Sequence, residues 1–200
     1  ENAGAVERMT TKDHRISRLL AAAVAIAAVT LTSAIGQLAT RPNLEPWYAG
    51  LVKPAFNPPN WVFAPVWTTL YALMAFAAYR MLRQPRDAPG RRRALILFFI
   101  QLGLNGAWSW MFFGAQSPAL GLVNIVPQWA TILLTAVAFR GLDKLAAASL
   151  LPLMAAQKFQ LSAVYDVTPA MSLQIGGVIA ILGVNSPAER GVFTGLWWRY

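Results

Sequence analysis

The side chains able to carry covalent or acid–base chemistry are few in this 200-residue chain, and they are poorly placed for it. There is one histidine, His14, in a polar N-terminal stretch, and there is no cysteine. His14 reads as a solvated residue rather than as a metal or haem ligand. Thiolate catalysis, thiolate metal sites and disulfides are excluded, and the redox compartment stays open. The carboxylates Glu1, Glu7, Asp13, Glu45, Asp87, Asp143 and Glu189 fall in tails or between apolar runs, which leaves Asp166 as the candidate for a carboxylate at membrane depth. Lys158 and Asp166 would lie about two turns apart on one helix, marking either a polar pathway or a snorkelling helix end. No Ser-His-Asp set, acid pair, phosphate-cradling loop or metal cluster can be assembled. We therefore expect no catalytic residue and no metal. The remaining chemistry is noncovalent: Trp67, Tyr71, Trp108 and Trp129 as stacking surfaces, and Asn105 as an amide inside an apolar run. Trp67 and Tyr71 are spaced i, i+4 and Asn105 and Trp108 i, i+3, so each pair shares a helix face. Packing is the competing role for the aromatics, and interhelical hydrogen bonding for Asn105.

The elements that must position these groups are membrane helices. Hydrophobic residues make up 56% of the chain and charged residues 12%, with a mean hydropathy of +0.46, unlike a soluble domain. Apolar runs at 19–39, 62–82, 94–113 and 120–139 are each about 20 residues long, enough to cross about 30 Å of hydrocarbon. A fifth begins near Leu145. They lack the alternation of barrel strands, so an all-α bundle satisfies the backbone within lipid. One domain is expected, divided into a basic tail at 1–18, a bundle at 19–156 and a C-terminal part at 157–200 that completes or follows the fifth helix. An additional apolar piece at 170–184 would be a sixth span.

The net charge of +9 is concentrated in the N-terminal tail, at Arg83, Arg86 and Arg91–Arg93, and at Arg140 and Lys144. These places share one side if four spans cross, which predicts a multi-pass protein with a cytoplasmic N-terminus and anionic lipid as neighbour. The triple arginine reads as a topology signal, so no nucleic-acid partner is expected. A cleavable signal peptide ending near "TSA" at 32–34 is the alternative for the first run, although the run continues to Ala39. Gly103 and Ala107 form a small-xxx-small pair able to bring helices or protomers together. Leu73, Tyr79 and Arg83 fit a proposed cholesterol-contact pattern.

Between the first two runs stands "KPAFNPPN", where Pro54, Pro58 and Pro59 disfavour helix and predict a stiff extended loop. Asn60 is the expected N-cap of the second helix. Trp61 belongs at the lipid interface, and Pro65 within the first turn or so. The stretch reads as a rigid lid tied to a helix mouth.

This stretch, "WYAGLVKPAFNPPNWVFAPVWTTLYALM" (47–74), closely resembles the tryptophan-rich sensory protein family, also called TspO, the translocator or peripheral benzodiazepine receptor family. "QLGLNGAWSWMFFG" (101–114) is similar to the family's third-helix motif, and "LLPLMA" (150–155) to the start of its fifth. The resemblance covers about residues 20–155. It implies an integral membrane five-helix bundle, commonly a homodimer. Such a bundle would bind porphyrins, sterols and other flat apolar ligands in a pocket under the first loop. Carried over by motif, the pocket residues are Trp67, Tyr71, Asn105 and Trp108, with Lys53, Pro54, Pro58, Pro59 and Trp61 in the lid. With no histidine or cysteine in the membrane, a porphyrin would be a ligand held by stacking and burial, not a required cofactor ligated through its iron.

The chain departs from the family near its end. Pro152 is followed by Leu153 where the family has tyrosine, Ala156 stands at a tryptophan position, and Ala163 and Val164 replace a Leu-Asn pair. Two readings of 157–200 stand: a divergent tail, or translation in a shifted frame. Three functional readings follow. The first is a receptor for porphyrin-type tetrapyrroles linked to regulation, transport or stress response. The second is a light- or oxidant-dependent porphyrin-degrading enzyme, against which Ala156 argues, and the third is a structural membrane protein whose pocket is spoiled.

Overall fold

The computed structural model describes residues 17–51, 59–161, 165–168, 171–178 and 191–198; from 158 onward it describes backbone only. Four long helices form the bundle: α1 (Arg18–Thr40), α2 (Asn60–Leu82), α3 (Arg91–Ser109) and α4 (Pro118–Arg140). With its following turns, each is long and apolar enough to cross a membrane. Leu19, Ile26, Leu31, Val123, Val126 and Val137 are exposed on their outer faces. That pattern is costly in water and suited to lipid, so the bundle of a multi-pass membrane protein is the architecture.

Local chemistry sets the helix ends. The Ser17 and Ser117 hydroxyls accept from the Leu20 and Leu120 N–H groups, capping α1 and α4. Gly90 precedes α3 with φ of 82°, a left-handed backbone that glycine adopts at least cost. The residue at the N-cap of α2 is Pro59, and the expected cap Asn60 is already helical, a shift of one residue. Pro65 consequently lies beyond the first turn, where its missing N–H removes one helical bond.

The fifth run is divided. α5 (Lys144–Ala148) has five residues and α6 (Leu151–Leu161) eleven. Pro152 explains the break, because it has no N–H for the Ala148 carbonyl and its ring opposes a continuous helix there. Beyond α6 the backbone is extended: β1 (Tyr165–Thr168), β2 (Met171–Val178) and β3 (Gly191–Trp198) form an antiparallel sheet in that order. Over Met171–Val178, then, the apolar piece at 170–184 is a strand and not a sixth helical span. Lys158 and Asp166 likewise do not share a helix, since Asp166 lies in β1.

Small residues allow the long helices to approach closely. A Cβ on Gly36 would stand 3.0 Å from Ser109 Oγ, and one on Gly106 would stand 3.3 Å from Thr32 Cγ2, joining α1 to α3. A Cβ on Gly121 would collide with Phe112 at 2.7 Å, so glycine is what lets α4 meet the end of α3. At the other end of that helix pair Phe98 stacks on Phe139, with centroids 6.0 Å apart. The core runs between these contacts, with Leu70, Met74, Ala77, Met81, Leu102, Ile132, Leu150 and Leu153 buried.

The arginine-rich end is more than a topology signal. Arg91 is buried, and its guanidinium donates to the Met81 and Leu82 carbonyls, satisfying the free end of α2. Arg92 and Arg93 remain exposed.

Candidate ligand site

Trp67 and Tyr71 lie one turn apart near the middle of α2, their rings 5.7 Å apart and tilted by 41°. Tyr71 Oη donates to Asn105 Oδ1 at 2.9 Å, joining α2 to α3 inside the bundle. Asn105 is only 4% exposed, so this bond satisfies an acceptor that lipid could not. Three of the sequence-selected residues, Trp67, Tyr71 and Asn105, thus form one unit of two aromatic faces and an amide.

Trp108 belongs to a different aromatic group. It stacks on Phe112 at 4.8 Å with 13° between the planes, and it meets Phe113 edge-on. Trp47 and Tyr48 pack on the same two phenylalanines from the turns that follow α1. The π-type turn Trp110–Gly114 widens the end of α3 and places those rings. Trp108 Nε1 is buried with no protein partner among the described residues. Trp129 has a packing role: its Nε1 donates to the Met154 carbonyl at 3.3 Å and ties α4 to α6.

Beside the second aromatic group is a groove of about 490 Å³ lined by Pro42, Asn43, Glu45, Trp47, Gly50 and Gln116. Gln116 Nε2 donates to Asn43 Oδ1 at 2.8 Å across it, and Asn43 Nδ2 donates to the Ala39 carbonyl. Of the lid residues, Lys53, Pro54 and Pro58 lie outside the described residues, as does His14. Pro59 occupies the N-cap position of α2 without a side-chain capping bond, and Trp61 on the helix's first turn is 74% exposed, as an interfacial tryptophan would be.

The chain matches the model of the TspO/MBR family over residues 22–167. It belongs to the TspO/MBR family. Similar proteins include the tryptophan-rich protein TspO of Chlorobaculum tepidum, 45% identical over 53% of this chain and 67% of that one. The corresponding protein of Archaeoglobus fulgidus is 40% identical over 61% of this chain and 76% of its own. The translocator protein of Sus scrofa is 39% identical over 54% and 65% respectively.

Four interior amides escaped the sequence reading. Gln101, Asn124, Gln128 and Gln157 are each at most 4% exposed. Gln101 Nε2 has the Met74 sulfur at 3.8 Å, a weak acceptor. Gln101 Oε1, Asn124 Oδ1 and both polar atoms of Gln128 and Gln157 have no protein partner among the described residues. Their signal was available as polar letters inside apolar runs, with Gln101 and Asn105, and Asn124 and Gln128, at i, i+4.

The described residues contain no cluster of three or more His, Cys, Asp or Glu suited to a metal. An ion pair joins α2 to the turn between α4 and α5. Asp143 accepts from Arg80 Nε at 2.7 Å and caps α5 through the N–H groups of Leu145 and Ala146. Burial pushes the Asp143 carboxyl up. The Ala146 N–H, the Arg80 guanidinium and the Leu145 N–H outweigh it and hold the group below its ordinary value.

Proposed function

We propose that this protein is a membrane receptor for flat, largely apolar ligands, most concretely porphyrin-type tetrapyrroles, with sterol-like molecules as a second ligand class. Sensing or movement of the tetrapyrrole would be the physiological output, and a homodimer the working form. The observation that carries the reading is the Trp67–Tyr71–Asn105 unit. Two aromatic faces offer stacking surface, and the amide bonded to Tyr71 offers a polar contact at the same depth. Family membership supports the receptor role. Ala156, packed against the core where the family carries tryptophan, removes one aromatic group from the degradative alternative.

The test is a protoporphyrin titration of the purified protein in detergent, followed by tryptophan quenching. Trp67→Ala is expected to weaken binding by roughly 1–3 kcal/mol through lost aromatic contact. Asn105→Ala should weaken it as well. Quenching that never saturates, and that neither substitution changes, would sink the reading.

A further inference from the structure

The connection from α2 into α3 concentrates unbalanced charge. Arg83, Arg86, Arg91, Arg92 and Arg93 stand there against Asp87. Arg91 is committed to the Met81 and Leu82 carbonyls, and Asp143, at the neighbouring turn, is held by Arg80. Arg92 and Arg93 are exposed on the first turn of α3, which contains no acidic residue and has no side-chain cap. The amino end of a helix carries partial positive charge, so exposed arginines there add to a field that favours an anion.

The same helix continues as an apolar groove. Arg91, Arg92, Leu95, Ile96, Phe99 and Ile100 line an open groove of about 470 Å³ on the outer face of α3. From Arg92 onward these residues recur at three- and four-residue steps, so they follow one stripe of the helix. Leu95 packs against the core, whereas Ile96, Phe99 and Ile100 are each nearly half exposed. The Phe99 ring is braced edge-on by buried Phe98, their centroids 5.6 Å apart. From Arg92 to Ile100 the helix rises about 12 Å, close to one leaflet of a hydrocarbon layer about 30 Å thick. A guanidinium therefore stands at the mouth of a channel one leaflet deep.

A second copy of the chain fits this groove less well. Two copies crossing the membrane in the same direction and meeting here would set Arg92 beside its own counterpart, a like-charge contact. A phosphate group offers the opposite charge and oxygens suited to the guanidinium fork.

We propose that this groove is a site for one anionic phospholipid per protomer. The lipid phosphate accepts from Arg92, and one acyl chain lies along Leu95, Ile96, Phe99 and Ile100. The inference is independent of the tetrapyrrole reading, because it uses the outer face of α3 and none of the Trp67–Tyr71–Asn105 unit. It is narrower than the general attraction of basic loops to anionic membranes, which fixes neither a residue nor a stoichiometry.

The test is native mass spectrometry of the purified protein in neutral detergent with added dioleoyl phosphatidylglycerol, run beside thermal unfolding. Each wild-type protomer should retain one phosphatidylglycerol, and dioleoyl phosphatidylcholine should bind about tenfold more weakly. At ten times the lipid Kd, Tm should rise by roughly 3–6 °C. Arg92→Gln should weaken binding about tenfold, Arg93→Gln distinctly less, and Phe99→Ala several-fold with every charge in place. Equal losses in the two arginine variants would mean diffuse surface charge and overturn the site. Equal binding of the two lipids overturns it as well, as does binding that neither Arg92→Gln nor Phe99→Ala changes. Inorganic phosphate that protects as well as the lipid would make this a free-anion site instead. Lipid carried by dimers and never by monomers would place the groove between copies and contradict a site complete in one protomer. Should Arg92→Gln fail to fold, Phe99→Ala decides alone.

Discussion

The bond between Tyr71 and Asn105 is the point at which single residues decide most in this protein. Its length of 2.9 Å and the near-complete burial of the amide make it worth more than a surface contact, because Asn105 Oδ1 has no water to fall back on. Tyr71→Phe keeps the ring and removes only the donor. We expect it to destabilise the protein by about 1–3 kcal/mol, the usual cost of leaving a buried acceptor unpaired. Titration with a denaturing detergent would measure this, and an unchanged midpoint would mean that Asn105 finds another donor. The spacing of Trp67, Tyr71, Asn105 and Trp108 placed each pair on one helix face. It did not reveal that Trp108 turns toward Phe112 and Phe113 while Asn105, one turn earlier, bonds to α2. Side-chain direction across a helix pair depends on the neighbour's surface, which spacing within one helix does not encode.

At the scale of elements, the junction of α4 and α5 combines a cap with an ion pair. The same Asp143 carboxylate begins α5 and holds Arg80 of α2. Its folded-state acidity is stronger than the ordinary value of 3.8, so the unfolded chain takes up this proton first as pH falls. The contribution to stability is therefore complete above the ordinary carboxylate range and is lost as pH drops through the lowered folded value. Asp143→Asn retains a competent cap but not the charge. Wild type should exceed the variant in thermal stability at neutral pH, and the gap should close as pH is lowered below 3.8. Parallel curves across that range would show that Arg80 contributes nothing there. The helix runs themselves were legible to within a few residues, since length and apolarity in lipid leave the backbone little choice. The break between α5 and α6 was not foreseen, although Pro152 was visible, because a proline near a helix start can either open a helix or interrupt one.

For the whole molecule, the outward surface of α3 bears on assembly. Gly103 is exposed, and a Cβ added there would meet nothing in the protomer. Gly106, by contrast, faces Thr32 within the bundle. Gly103 of the small-xxx-small pair thus lies on an open face, which the proposed homodimer would use. Gly103→Ile should leave the protomer folded and convert a dimer in mild detergent to monomer by light scattering. A variant that stays dimeric would move the interface elsewhere.

The sequence by itself determined the solvent in which this chain folds, the place and length of its four long helices, the family and the scarcity of groups for covalent chemistry. Each of these follows from composition, run length or a local motif, which survive without knowledge of neighbours. Tertiary structure alone decided that Arg91 caps α2, that Trp129 ties α4 to α6, and that the amides Gln101, Asn124, Gln128 and Gln157 are buried. Those outcomes depend on how helices far apart in the chain are rotated and registered against one another. Close packing of residues such as Gly121 against Phe112 fixes that registration, and no single helix specifies it.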